Sequence, residues 1–425
     1  MKIQNLLLGS ENQNTSFSKI SLIGAIFFAG IAGYSYFAFL PLFLNSKGFS
    51  VGEITFIMTW MGVGIAIFSW LFGRLSDRTG HRKLFVIIAL ISQVIIFSLI
   101  NFNDHIAYHC VLNFLRGLFL GMRMPASNAL FTEIVEKKVK IQPIDLSNGT
   151  IEISGTQLSL LSTTKSTGWA IGVIFSSSVI NILGVNSLIP FLIIMTLVSL
   201  IFALPVRDVK KEATNLEGSN LRSETEEVLL DPKTTVNEKD KRKPERKVKI
   251  LLFVCVFFRH FGLIPFLQII SLLLIDAGIP ITQVGIVIAL NPILQAVAMV
   301  VNGRIIDNPK ISEKLMLAIG FILSSLTLLG YAIGSFTGSI FYFILGQICL
   351  GFAWGSIYTG AFKYIVNRAP NNRALYMGIW MTNLQLAKII AYQVFALLWI
   401  IFTPVAVLPY AVLIPLIGFV LVYWL

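Results

Sequence analysis

The sequence predicts an all-α integral membrane protein of twelve transmembrane helices, arranged as two six-helix bundles that are related by pseudo-symmetry. Three observations lead to this fold class. The 425 residues are 56% hydrophobic and only 13% charged, with a mean hydropathy of +0.80, so a soluble fold would have too little polar surface. Apolar runs long enough to cross about 30 Å of hydrocarbon recur along the chain. The two halves of the sequence also align with each other.

Twelve apolar runs have the length that a bilayer-spanning helix needs. A charged segment divides them into two groups of six, and this division is the basis of the predicted bundles. The runs lie at 19–44, 51–72, 84–100, 106–131, 158–182, 188–206, 250–275, 281–301, 314–335, 339–366, 375–401 and 405–425.

The predicted domain organisation has four parts. A cytoplasmic N-terminal tail at 1–18 is followed by a six-helix bundle at 19–206, a disordered cytoplasmic linker at 207–249 and a second six-helix bundle at 250–425. The linker has no aromatic residue and is rich in charge, so it cannot bury enough apolar surface to fold. Its basic end either lies on the membrane surface or is a solvated tether.

Positive charge is concentrated in alternate turns between the spans. The turns on the other side carry Lys47 and otherwise Asp, Asn, Ser and His. The positive-inside rule therefore places both termini in the cytoplasm, with the chain as a multi-pass protein of the cell membrane. The formal net charge of +12 fits anionic lipid headgroups and does not call for nucleic acid as a partner. The basic turns contain Arg74, Arg78, Arg82, Lys83, Lys137, Lys138, Lys140, Arg304, Lys310, Lys314, Lys363, Arg368 and Arg373.

The two halves are repeats of one another. Adding 230 to each position aligns about a hundred residues without a gap, which indicates internal duplication. Parallel six-helix repeats are a known way to place a solute site at mid-membrane. Aligned pairs include Phe27 with Phe257, Gly48 with Gly278, Gly73 with Gly303, Arg74 with Arg304, Asp77 with Asp307, and Gly121 with Gly351.

A short basic loop, GRLSDRTGHRK, is predicted at 73–83 between the second and third spans. Gly73 and Gly80 permit tight backbone geometry. The basic residues suit a cytoplasmic turn, and Asp77 precedes the third span, where a helix N-terminus favours a carboxylate.

This loop closely resembles the signature between helices 2 and 3 of the major facilitator superfamily. The resemblance implies that helices 3, 6, 9 and 12 lie against lipid while the others surround a central cavity, and that Asp77 helps to latch the cytoplasmic gate. The basic residues either share this gating role or only anchor the topology. The matching residues are Gly73, Leu75, Asp77, Arg78, Gly80, Arg82 and Lys83, and His81 replaces one usual basic residue.

Cationic side chains fall inside the predicted spans, but no Asp or Glu lies deep in any of them. A charge in hydrocarbon is costly unless it faces a cavity or a partner, so these residues mark the predicted pathway. Each either binds solute or bonds to backbone carbonyls. The candidate solute-binding residues are Arg116, Arg123, Lys165, Arg259, His260, Gln385 and Lys388.

Gly168, Gly172 and Ser176 recur at intervals of four in the fifth span. This spacing predicts a face for close helix packing.

The favoured function is a secondary transporter for a small organic anion that works by alternating access. Paired Arg and Lys side chains clamp carboxylate or phosphate, and we expect Arg259 and Lys388 to face Arg116 and Lys165 across the cleft. One alternative is a multidrug or metabolite efflux transporter, with a cavity lined by aromatic residues from the set Tyr34, Tyr36, Trp60, Trp354, Tyr358 and Trp380. The other is a lipid flippase or non-transporting receptor on the same fold.

The predicted partners are a small-molecule solute, the lipid bilayer and a possible coupling proton, for which His260 is the best-placed titrating group. We expect a monomer. The three cysteines lie inside apolar runs without metal-ligand spacing, so neither metal nor cofactor is predicted. HExxH and Walker motifs are absent from the sequence, and the chain is predicted not to be an enzyme.

Overall fold

The computed structural model describes residues 2–141, 155–208, 248–306, 308, 311–368 and 373–425. None of these residues lies in a β-strand. Most of the predicted linker, residues 209–247, lies outside the described part of the chain. So do Asp307 and the side chain of Asp77.

The described chain is a series of long helices joined by short turns. A single 3₁₀ turn, Val185–Ser187, connects α5 to α6. The helices are α1 (Lys2–Ser46), α2 (Val51–Thr79), α3 (Arg82–Leu99), α4 (Ile106–Ile141), α5 (Gly155–Leu183), α6 (Leu188–Ala203), α7 (Ile250–Gln268), α8 (Ile270–Asp276), α9 (Ile281–Ile306), α10 (Glu313–Thr337), α11 (Ile340–Arg368), α12 (Arg373–Ile401), α13 (Pro404–Ala411) and α14 (Leu413–Val422).

Two predicted spans are interrupted in the structure. The seventh breaks at Ile269, whose φ of −104° and ψ of 14° are not helical, and the twelfth is divided at Val412 between α13 and α14. A proline lies one turn or less before each break, Pro265 or Pro409. Proline has no N–H for the helical ladder and its ring crowds the preceding turn, so each proline weakens its helix on the N-terminal side of the break. The first helix is longer than predicted, because α1 begins at Lys2 and includes most of the predicted tail.

The predicted loop at 73–83 is mostly helical, so that prediction was wrong in extent. Helix α2 continues through Thr79, and the chain turns at Gly80, whose φ of +68° lies in the left-handed region that glycine adopts readily. Gly73 instead lies within α2, where a Cβ would be 3.8 Å from Pro125 of α4. The apolar pattern ends at Phe72, but the helix does not. The last turns of α2 carry charge, as expected for turns that extend beyond the hydrocarbon.

Eleven segments in the described part of the chain are long and apolar enough to cross a membrane. Helix α4 is not among them, although its 36 residues exceed the length required. The reason is composition, because α4 carries His109, Asn113, Arg116 and Arg123 within the stretch that was predicted to span. The first three of these side chains are buried against protein.

The same helix pairs pack together in each half. In the first half α1 packs against α5 and α6, α2 against α4, and α3 against α4 and α6. In the second half α7 packs against α12 and α14, α9 against α11, and α10 against α11 and α14. This correspondence is the structural form of the sequence repeat.

Apolar side chains on the outer helices point away from the protein, as a lipid-facing surface requires. They include Ile91 and Ile95 on α3, Ile194 and Ile201 on α6, Ile322 and Leu329 on α10, and Ile417 and Val420 on α14.

Glycines allow the inner helices to approach closely. A Cβ at Gly168 or Gly172 of α5 would lie 2.6 Å from Phe27 O or 2.7 Å from Ile31 O of α1. Real Cβ atoms do not come so near to backbone, so only glycine fits. The predicted packing face of the fifth span is therefore confirmed.

Candidate functional site

A cavity of about 320 Å³ lies between α1 and α4, with further walls from α2, α3, α5 and α6. Three of the predicted solute-binding residues line it, namely Arg116 and Arg123 of α4 and Lys165 of α5. The seven-residue interval between the two arginines places them on one face of α4. The structure thus brings these three cations together on one side of the cavity.

Arg116 is held in place by aromatic and polar neighbours. Its guanidinium carbon lies 3.7 Å from the centre of the Tyr36 ring and 5.7 Å from that of Phe97. The Tyr36 hydroxyl donates to Asn113 Oδ1 (2.8 Å), and Asn113 Nδ2 donates to His109 O (3.0 Å). The side chain is only 2% exposed, and its Nε has no hydrogen-bond partner in the described structure.

Arg123 and Lys165 extend the positive wall along the cavity. The Lys165 ammonium donates to Asn128 Oδ1 of α4 (2.9 Å), whereas Arg123 Nη1 is buried and lacks a partner among the described residues. Arg123 repels both Arg116 and Lys165 electrostatically. Within the described residues no carboxylate forms an ion pair with any of the three.

Lys388 belongs to the other half of the protein but lies near the same cavity. Its ammonium is 5.8 Å from the ring of Phe37, a cavity residue of α1, and 5.4 Å from the ring of Tyr392. Its charge repels that of Arg116. Gln385 is one turn away on α12, and its buried Oε1 has no partner in the described structure.

Arg259 and His260 lie elsewhere, inside the second half, and do not line this cavity. Arg259 is fully buried, donates from Nε to Ser324 Oγ (2.7 Å) and lies 4.2 Å from the Trp354 ring. Its Nη1 and Nη2 atoms have no partner among the described groups. The ring of His260 also contacts Trp354, and its Nδ1 bonds to Val256 O (2.9 Å).

Sequence reasoning missed part of an aromatic stack beside the cations. The rings of Trp169, Tyr34 and Phe37 lie nearly parallel, with centroids 5.1 and 5.8 Å apart. Tyr34 was a candidate lining residue, but Trp169 and Phe37 were not. The three-residue step from Tyr34 to Phe37 is ordinary in an apolar helix, so no local signal distinguishes these rings from core packing.

Residues of the signature at the α2–α3 turn connect α3 to other parts of the first half. Arg82 forms an ion pair with Glu133 of α4 (3.0 Å). The Lys83 N–H donates to Asp208 Oδ1 (2.8 Å), and the Lys83 ammonium donates to Leu204 O. Arg78 is exposed. The latch implied for Asp77 depends on a side chain outside the described part and stays a prediction.

The two halves meet closely at the end that holds the α1–α2 turn. Gln268 Nε2 donates to Phe37 O (3.2 Å), and the Tyr392 hydroxyl donates to Gln268 Oε1 (2.8 Å). A Cβ at Gly285 of α9 would lie 2.8 Å from Val173 O of α5. A Cβ at Gly52 of α2 would lie 2.9 Å from Ala396 O of α12. The halves are thus in backbone contact at this end.

A helical membrane protein whose two halves repeat one helix arrangement, with buried cations beside a cavity in the first half, has the architecture of a secondary transporter. The chain belongs to the Major Facilitator Superfamily, whose family model matches residues 22–392. It is therefore a multi-pass membrane transporter that carries a small-molecule solute, and it is not an enzyme.

Relatives and solved structures agree with this assignment. The chain is 24% identical over 220 residues to the Bacillus subtilis (strain 168) protein described as "Putative niacin/nicotinamide transporter NiaP". This match covers 51% of the chain and 49% of that relative, so it spans about half the length of each.

Three solved structures show the same fold at 13–14% identity, which is evidence for the fold alone. A mutant of the nucleoside transporter NupG has a TM-score of 0.73, with 96% of this chain and 99% of that chain covered. The POT family transporter PepTSo has a TM-score of 0.68, with 96% and 97% covered. A POT family transporter in complex with 5-aminolevulinic acid has a TM-score of 0.64, with 98% and 95% covered. The predicted all-α membrane fold is confirmed.

Proposed function

We propose that the chain is a secondary transporter that moves a small organic anion by alternating access. The observation that carries this proposal is the cavity wall of Arg116, Arg123 and Lys165. These three cations have no carboxylate partner among the described residues, and Lys388 adds a fourth charge nearby. A cavity with this wall is suited to an anion that enters and neutralises it.

The electrostatic argument is one of desolvation. Burying a charge away from water is costly unless a counter-charge or hydrogen bonds compensate. Arg116 Nε and Arg123 Nη1 are buried without hydrogen-bond partners in the described structure. A carboxylate or phosphate accepts from several guanidinium N–H groups at once, so a bound anion would satisfy donors that the protein leaves free.

The proposal includes the organisation of the transport cycle. The halves at 19–206 and 250–425 rock against each other, and the cavity lies in the first of them. Both termini are in the cytoplasm of a cell-membrane protein that acts as a monomer. With this orientation the α1–α2 turn is outside, and the close contact of Gln268 with Phe37 supports an inward-facing state. Where transport is coupled to a proton, His260 carries it.

The first experiment is thermal unfolding of the purified protein with nicotinate or nicotinamide, chosen because the Bacillus relative is named for both. The two probes share a ring and differ in charge, so the pair isolates the anionic group. At a concentration a hundred times its dissociation constant, a ligand stabilises the folded state by about 2.7 kcal/mol. The same panel includes other organic anions, sugars, nucleosides and lipophilic cations.

The proposal predicts stabilisation by one or more anions, with loss of the effect in Arg123→Gln and Lys165→Met. The Arg259→Gln variant, in the same assay, tests the prediction that Arg259 helps to bind the anion. Arg78→Gln, an exposed change outside the cavity, is the matched control and should behave as the parent protein does. Stabilisation by lipophilic cations alone would overturn the anion proposal and favour an efflux transporter.

A further inference from the structure

We infer that the transported anion is amphipathic, with its charged head at Arg116, Arg123 and Lys165 and an apolar body in a slot beside them. This inference rests on the proposed function and narrows its substrate class. The apolar slot is the part of the cavity lined by Gly30 and Gly33 and by the side chains of Leu22, Ala25, Ile26, Ala29, Val86 and Leu90.

The cavity has two chemically different sides. The cations come from α4 and α5, whereas the slot is built by α1 and α3 with Ser199 of α6. Ser199 brings a hydroxyl to this side, but that hydroxyl already donates to Ala25 O (2.7 Å). The slot therefore offers hydrocarbon contact and leaves recognition of charge to the cations of α4 and α5.

The six side chains of the slot are largely covered by neighbouring helices. Each is less than a tenth exposed, from 1% at Leu22 and Leu90 to 8% at Ile26. A small hydrophilic anion would occupy the cationic side and leave this space unfilled, while an attached apolar body would fill it and be removed from water.

Comparison of the repeats shows that this space is specific to the first half. Ala29, Gly30 and Gly33 of α1 align with Arg259, His260 and Leu263 of α7 under the shift of 230. These three second-half side chains are all buried, so they occupy the equivalent position in their own half. The slot exists because three large side chains are replaced by Ala and Gly.

Gly33 shows that the small residues are not all required for folding. A Cβ at Gly33 would meet no atom within 4 Å, and Gly33 lines the cavity. Close helix packing therefore does not explain this glycine, in contrast to Gly168 and Gly172. Open space at this position is what a ligand body would use.

The test uses four probes and the full-length protein in lipid nanodiscs. Octanoate has one charged head and an apolar chain, acetate has the head alone, suberate has a charge at both ends of a similar chain, and octanamide has the chain without charge. Equilibrium binding should be at least about tenfold tighter for octanoate than for each of the other three, because only octanoate matches both sides of the cavity.

Gly33→Leu gives the slot the residue that its repeat partner, Leu263, already has. It should weaken octanoate binding at least about tenfold and leave acetate binding unchanged, since the added side chain competes for the space of the apolar body. Gly378→Leu makes the same change at an exposed site of α12 with no atom within 4 Å and should bind as the parent protein does. If Gly33→Leu does not fold, Ala29→Leu fills the slot from the preceding turn.

The outcomes separate this inference from the proposed function. Equal binding of acetate or suberate and octanoate would overturn the amphipathic class and leave an anion transporter. Equal binding of octanamide and octanoate would overturn the anion proposal as well. Unchanged octanoate binding in folded Gly33→Leu and Ala29→Leu proteins would show that the apolar body lies elsewhere and would overturn the inference.

Discussion

Arg116 packs over the ring of Tyr36, with the guanidinium carbon 3.7 Å from the ring centre, and the Tyr36 hydroxyl donates a hydrogen bond to Asn113. Both aromatic residue and arginine are almost completely buried. The ring attracts the cation through its quadrupole, and the hydroxyl bond fixes the ring. This contact and the hydrogen bond from Arg116 Nη1 to Met61 Sδ (2.6 Å) together position the guanidinium.

Replacing the ring should weaken anion binding. Tyr36→Leu removes the cation–π contact, which contributes about 2 kcal/mol when desolvated, and the dissociation constant of a bound anion should rise more than about tenfold. Tyr36→Phe keeps the ring and removes only the bond to Asn113, so its effect should be smaller. Binding titrations of the three proteins check this order. Equal losses for Leu and Phe would mean that the hydroxyl, and not the ring, positions Arg116.

The ion pair of Arg82 with Glu133 should stabilise the fold from within the α2–α3 signature. The two side chains are 11% and 20% exposed, a setting between that of a surface pair and that of a buried pair. Arg82→Gln should lower the free energy of unfolding by about 1–3 kcal/mol, measured by thermal unfolding. Arg78→Gln, an exposed change in the same signature, is the matched control. A loss as large for Arg78 as for Arg82 would contradict a role for this pair.

The sequence predicted the helices and the cationic wall because both depend on local spacing. Apolar run length defines a span, and a seven-residue interval places Arg116 and Arg123 on one face. The surroundings of Arg259, in contrast, depend on a residue 95 positions away, since Trp354 of α11 covers its guanidinium. No pattern within α7 indicates which side chain from another helix will lie there.

Helix ends were harder to predict than helix centres for a physical reason. The hydrophobic pattern records where lipid ends, whereas the helix ends where backbone geometry and capping change. Helix α2 ends at Thr79, seven residues beyond the predicted end of the second span at Phe72. The intervening turns carry charge and stay helical. The break at Ile269 was missed because it lies within a mostly apolar run, and neither Gly nor Pro stands at the break itself.

Gln268 connects three helices at the closed end. It donates to Phe37 O of α1 and accepts from the Tyr392 hydroxyl of α12. Gln268→Leu removes both bonds and leaves buried groups without partners, at a cost of about 1–3 kcal/mol each. Hydrogen exchange in α8, which begins two residues later, should therefore become faster.

A matched pair of tyrosines tests this contact further. Tyr392→Phe removes the hydroxyl that donates to Gln268, whereas Tyr331→Phe removes a buried hydroxyl that has no partner in the described structure. Exchange in α8 should rise for Tyr392→Phe and stay unchanged for Tyr331→Phe. Equal effects of the two variants would show that the bond to Gln268 does not hold the closed end.

Gly285 should control whether the two halves close at this end. A Cβ there would lie 2.8 Å from Val173 O, which belongs to the backbone of the other half. Gly285→Leu places a larger group in that contact, and overpacking of this kind costs about 1–3 kcal/mol. The cost applies only when the end is closed, so the population should shift about tenfold or more towards the state that is open there.

Spin labels at Asn101 and Phe402 report this shift, because both residues are exposed in turns at the closed end, one in each half. The labels are placed in a variant without Cys110, Cys255 and Cys349. The distance between the two labels is then measured with and without Gly285→Leu. Gly285→Leu should lengthen the mean distance. Gly378→Leu, with open space around it, should not. Because α5 and α9 face each other only while this end is closed, an unchanged distance in a folded Gly285→Leu protein would mean that the halves do not separate here, and alternating access would need another hinge.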